Sequence, residues 1–147
     1  MKYALAVLLA LLLEGGPAWA VLGEYQSSVN SDQQLLRGEV RAIVREGYSV
    51  QQITAKDGTV VSEYVSPGGM VFGISWKAPM MPNLQQLLGA SFAQLQQAPR
   101  SRARRRGPLV VRTDQLVIES GGHMRSFHGR AYLPGLLPNN VSAEVVR

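Results

Sequence analysis

The stretch from Tyr48 to Trp76 reads YSVQQITAKDGTVVSEYVSPGGMVFGISW, and it decides the fold. Two apolar-rich runs flank Lys56-Asp57-Gly58, and an Asp-Gly pair between such runs signals a hairpin, because its glycine accepts the backbone that a tight turn needs. Tyr48–Ala55 reads as one strand, imperfectly alternating, and the β-branched Thr59–Val65 returns beside it. Ser66-Pro67-Gly68-Gly69 turns the chain again. Met70, Phe72, Ile74 and Trp76 then alternate with Val71, Gly73 and Ser75, the period of two that marks a strand. Strands joined by such short turns pair antiparallel, since a parallel pair needs a long crossover.

Upstream, Ser31-Asp32 offers a helix cap, and Leu36, Val40, Ile43 and Val44 follow at helical spacing. Arg37, Arg41 and Arg45 flank that apolar face on one side, Glu39 and Glu46 on the other, and Gly47 stops the predicted helix. Downstream, Ala78-Pro79-Met80-Met81-Pro82 is a stiff apolar connector. Asn83 caps a second predicted helix, with Leu84, Leu87, Leu88, Ser91, Phe92 and Leu95 on one face and Pro99 at its end. Pro99–Pro108 is a basic loop. Three more strand-like runs follow, Leu109–Arg112, Leu116–Ser120 and Met124–Leu133, with Thr113-Asp114-Gln115 and Gly121-Gly122 as their turns. The irregular remainder keeps Leu136, Leu137, Val141, Val145 and Val146 as residues able to pack down. The order helix, three strands, helix, three strands predicts an α+β fold: an antiparallel sheet of about six strands with two helices packed on one face.

The first twenty residues read differently. Lys2 precedes the apolar run Tyr3–Leu13, Glu14-Gly15-Gly16-Pro17 breaks it, and Ala18-Trp19-Ala20 supplies small residues where a signal peptidase reads. The run is shorter than the roughly 20 residues of a membrane span. The expectation is a signal peptide over 1–20, a single α+β domain over 21–147 with no transmembrane anchor, and a periplasmic or secreted bacterial location. There is no cysteine, so neither a disulfide nor a thiol-attached lipid is available. Small exported domains often rely on disulfides; this one must rely on packing. The formal charge is +5, and since Lys2 and Glu14 cancel, the remainder keeps it. Such a balance favours anionic partners, and export makes nucleic acid an unlikely one.

Glu63-Tyr64-Val65-Ser66-Pro67-Gly68-Gly69-Met70-Val71-Phe72-Gly73-Ile74-Ser75-Trp76, continued by Pro82-Asn83-Leu84-Gln85-Gln86-Leu87-Leu88-Gly89, forms one recognisable segment. Ser120-Gly121-Gly122-His123-Met124-Arg125 with Gly129-Arg130-Ala131-Tyr132-Leu133-Pro134 forms another. With the leader and the Leu22-Gly23 start, these resemble the exported bacterial family called domain of unknown function 2844. The resemblance implies a proteobacterial envelope protein and carries no activity, substrate or catalytic residue with it.

No cofactor or metal is expected. His123 and His128, with Glu119 and Asp114 nearby, are the conceivable acid–base or metal set. If Met124–Leu133 is one regular strand, the odd offset sends positions 123 and 128 to opposite faces. Ser120-Gly121-Gly122 lacks the strand-to-helix setting of a nucleophile elbow. The sharpest charge feature is Arg100, Arg102, Arg104, Arg105 and Arg106, whose guanidinium forks suit phosphate or carboxylate. Trp76, Met80 and Met81 are a candidate apolar binding edge, with core packing as the default. The expected role is a non-enzymatic domain binding an envelope protein or component. The alternatives are an anionic polymer or lipid binder acting through Arg100–Arg106, and a hydrolase using His123 or His128 with a carboxylate.

Overall fold

A computed structural model describes residues 22–26, 38–98 and 108–147. The expected signal peptide, residues 31–37 of the expected first helix and Arg100–Arg106 lie outside the described residues. Among the described residues, no helix is long and apolar enough to cross a membrane.

The fold is mostly sheet. Its strands are β1 (Glu39–Arg45), β2 (Tyr48–Thr54), β3 (Val60–Val65), β4 (Val71–Ala78), β5 (Leu109–Arg112), β6 (Val117–His123) and β7 (Ser126–Tyr132). They form one sheet in the order β1-β2-β3-β4-β7-β6-β5, every neighbour antiparallel. Two short helices, α1 (Leu84–Leu88) and α2 (Ser91–Gln97), connect β4 to β5.

Three expectations need correction. The sheet has seven strands rather than about six, because Glu39–Arg45 is a strand and not part of a helix. Val40, Ala42 and Val44 alternate with Glu39, Arg41 and Arg45, so seven residues satisfy both periods. Pairing with β2 decides between them: Gly47, at φ 80°, turns the chain so that Arg45 faces Tyr48. The second expected helix is interrupted, and among the described residues its two pieces are the α-helices packed on the sheet. Asn83 caps α1 as predicted, its Oδ1 accepting from the Gln86 N–H at 3.2 Å, but Gly89 at φ 46° separates α1 from α2. Finally, Gly121-Gly122 lies inside β6, and Met124-Arg125 makes the turn to β7, with Arg125 at φ 67°.

The register arranges the residues in rows across the sheet. On one face, Val61, Ile74, Trp76, Val111, Ile118 and Ala131 are buried under Leu84, Leu87, Leu88, Phe92 and Leu95 of the two helices. On the other, Ile43, Val50, Tyr64, Gly73, Tyr132 and Val117 face one another from β1 to β6. The segment after β7 covers that row, packing Leu136, Leu137, Val141, Val145 and Val146 against Val50, Tyr64 and Phe72. A β-bulge makes this second core possible. Tyr64 pairs with Gly73 and Val65 with Val71, which leaves Phe72 extra and turns its ring away from Ile74 and Trp76 toward Tyr48 and Tyr64.

Candidate functional site

The segment after β7 covers only part of its face. Beside the apolar row runs a polar one, in register from β1 to β6: Arg41, Gln52, Ser62, Ser75, Arg130 and Glu119. Next to it lies a third row, Val60, Lys77, His128 and Gly121. Apart from Arg41, these two rows floor an open groove of about 1100 Å³, with Pro108, His123 and Arg147 at its rim.

Strand alternation explains the lining. On β6, Glu119, Gly121 and His123 point into the groove and Ile118 into the helix-covered core, while on β7 His128 and Arg130 point in and Ala131 points away. At Gly121 a side chain would meet Pro108 and the His128 ring at 3.7–3.8 Å, so the glycine leaves the space between them open. Gly122 is required by the hairpin: φ is 127°, and an added Cβ would collide with the Ser126 carbonyl.

Among the described residues, Glu119 is the only side-chain carboxylate lining the groove, and it is committed. It accepts from Arg112 across β5–β6 and from Arg130 Nε at 2.8 Å across β6–β7. Hydrogen bonds from Arg112 first and Arg130 second hold its carboxyl below the usual carboxylate range. Lys77, Arg147 and the two histidines face the groove without forming an ion pair among the described residues. The groove is cationic.

Arg130 also holds the wall. Its Nη1 donates to the Val146 carbonyl at 3.2 Å, while Tyr64 Oη at 2.7 Å and Ser75 Oγ at 3.2 Å donate to the Arg147 carbonyl. The Arg147 N–H donates back to Tyr64 Oη at 3.1 Å. Val146 itself is 0 % exposed against Gly73, where an added Cβ would lie 2.6 Å from Val146 Cγ2.

The predicted site residues are thus sorted. His123 and His128 share one groove with Glu119, contrary to the opposite-face expectation, because the Met124-Arg125 turn rather than a regular strand separates them. Asp114 lies beyond the far end of β6 and lines no part of it. Ser120 Oγ donates to the His128 carbonyl at 3.5 Å, so its hydroxyl is turned to backbone and not to an imidazole. Among the described residues no three of His, Cys, Asp and Glu gather as a metal site. Trp76 is 2 % exposed and belongs to the core, whereas Met80 and Met81 are 74 % and 47 % exposed, so the three do not form one edge.

Sequence reasoning missed Lys77, Arg130 and Arg147 as a group, since two strands and a terminal segment bring them together. It also missed Glu63, buried in β3 between Gln51 and Ile74; an acid inside Val60-Val61-Ser62-Glu63-Tyr64-Val65 was its visible signal.

Residues 18–146 match the family model described as protein of unknown function (DUF2844). The chain belongs to the DUF2844 family. Both recognisable segments fall within the match, and they contribute Ser75, Gly121 and Arg130 to the groove floor. Neither a curated protein nor a solved structure matches the chain.

Proposed function

We propose that this chain is an exported, non-enzymatic binding domain whose sheet groove takes an anionic glycan of the bacterial envelope. The observation that carries the reading is the lining: Lys77, Arg130, Arg147 and His128 around small hydroxyl and amide groups, with the one side-chain carboxylate that lines the groove among the described residues already held by two arginines. Gln52 and Ser62 offer hydrogen bonds of the kind sugar hydroxyls need, and the cations supply attraction to phosphate or carboxylate substituents. The groove is open and about 1100 Å³, above the usual 300–1,000 Å³ of small-molecule pockets, which suits a length of polymer. Export is inferred from Lys2, Tyr3–Leu13 and Ala18-Trp19-Ala20.

The basic loop enters as an auxiliary element. Arg106 stands two residues before Pro108, a groove-lining residue, so the loop is covalently tethered to the rim. The hydrolase alternative draws less support, because Glu119 is engaged by arginines and is a poor base in that state. The test is binding of an acidic envelope polysaccharide to the purified protein, measured by calorimetry across a salt series. Lys77→Glu is expected to weaken binding about tenfold and to flatten its salt dependence. If Lys77→Glu binds as the wild type while replacing the five arginines of 100–106 with Ser abolishes binding, the groove is not the site and the loop is. If neither variant changes binding, both readings fall.

A further inference from the structure

We propose that the outer edge of β1 pairs antiparallel with the same edge of a second copy, about a two-fold axis at Ala42. β1 is the first strand of the sheet, and among the described residues no strand pairs with its other side. It is seven residues long, with no proline and no break in its register, so its outward amides and carbonyls form an open template. Val44 on it is 84 % exposed, as expected of a side chain without its covering neighbour.

The residue order selects the occupant. With Ala42 facing Ala42 of the second copy, Val40 stands opposite Val44, Arg41 opposite Ile43 and Glu39 opposite Arg45, each pair occurring twice. Directly opposed residues project from the same face, so each Glu39 carboxylate meets an arginine and each exposed valine a valine. Charges on an edge strand ordinarily deter unrelated strands; in this register two of them become complementary. Neither Glu39 nor Arg45 forms an ion pair among the described residues. The other edge contrasts with this one: β5 has four residues, LVVR, and no acid to meet its arginine. A two-fold axis normal to the sheet also turns both grooves to the same side, so the pair presents two binding surfaces at once. The inference stands independently of which ligand the groove takes.

The chain's lack of cysteine makes the test direct. Opposed Cα atoms at an antiparallel two-fold lie about 4.5–5.5 Å apart, within the range a disulfide spans. Ala42→Cys is expected to give a covalent dimer under a mild oxidant, and Ala93→Cys, exposed on α2, is not. In sedimentation equilibrium, Glu39→Lys and Arg45→Glu are each expected to raise the dimer dissociation constant about tenfold or more. The two variants mixed, or combined in one chain, restore it, because the opposed charges again differ in sign. Melting curves identify any variant that loses its fold, and the disulfide test does not depend on those variants. A wild-type protein that stays monomeric at its highest soluble concentration overturns the proposal. So does a dimer that both charge reversals leave intact, or a mixture that fails to recover association.

Discussion

The two-sided core predicts that Gly73 and Val146 are coupled through space, across half of the chain length. Gly73→Ala places a methyl 2.6 Å from Val146 Cγ2 and 3.2 Å from Cγ1, so the valine must leave its seat. Overpacking of this kind costs about 1–3 kcal/mol, here by lifting the segment that Tyr64, Ser75 and Arg130 hold through the carbonyls of Val146 and Arg147. Val146→Ala removes two methyl groups from a fully buried site, about 1.6 kcal/mol at ~0.8 kcal/mol per carbon, and the remaining cavity brings the total to about 2 kcal/mol. In the double variant the methyl added at position 73 faces only the Cβ of residue 146, at 3.5 Å, an ordinary contact. It fills space that the valine vacated. The double variant is therefore expected to lose less than the sum by at least about 1 kcal/mol, where independent sites add within about 0.3–0.5 kcal/mol. Urea unfolding of all four proteins gives the cycle, and near-ultraviolet dichroism of Tyr48, Tyr64 and Phe72 reports whether the cover stays seated. Additive losses would refute the docking of Val146 on Gly73.

Other outcomes follow from the same rows. Gly129→Ala drives a methyl into the Trp76 ring at Cζ2 and sets it 2.8 Å from the Glu119 carbonyl, so it is expected to cost about 1–3 kcal/mol, with a red-shifted tryptophan emission; an unchanged spectrum and midpoint would contradict the burial of Trp76 under β7. Glu119 supplies a pH test with a definite sign. Its folded pKa lies below the ordinary 4.5, so its contribution is complete above that value and drains as pH falls through the folded value. Glu119→Gln is expected to flatten the acid limb of the stability curve below 4.5, and identical limbs for the two proteins would show that the Arg112 and Arg130 contacts contribute nothing. Groove binding and β1 pairing are checked by the Lys77, Glu39, Arg45 and Ala42 variants described above.

Much of the architecture is written locally. Asp57-Gly58 and Pro67-Gly68-Gly69 stand at the turns they announce, and the Asp57 carboxylate closes the first by accepting from the Thr59 N–H at 2.8 Å. Leu84, Leu87, Leu88, Phe92 and Leu95 cover the sheet as their spacing requires. Family membership, too, is legible in short local runs, Glu63–Trp76 with Pro82–Gly89 and Ser120–Arg125 with Gly129–Pro134. Local pattern fails where seven residues fit two periods. Glu39–Arg45 has valines for a strand and a helical face as well, and only the neighbouring β2 selects the strand. It fails again at Phe72, whose side is set by a bulge against β3 and not by its place in an alternating run.

What the amino-acid order determined alone was the antiparallel meander and the helix cap at Asn83, because each depends on neighbours a few positions away, and the want of disulfides, because there is no cysteine. The groove was decided only by tertiary structure. Lys77, Arg130 and Arg147 are far apart along the chain and become neighbours because β7 pairs with β4 and the segment after it folds back over Gly73. Glu119 loses its freedom to act as a base because β6 pairs with β5 on one side and β7 on the other, and an arginine from each reaches it. Cross-strand register is a long-range property, and no window of sequence contains it.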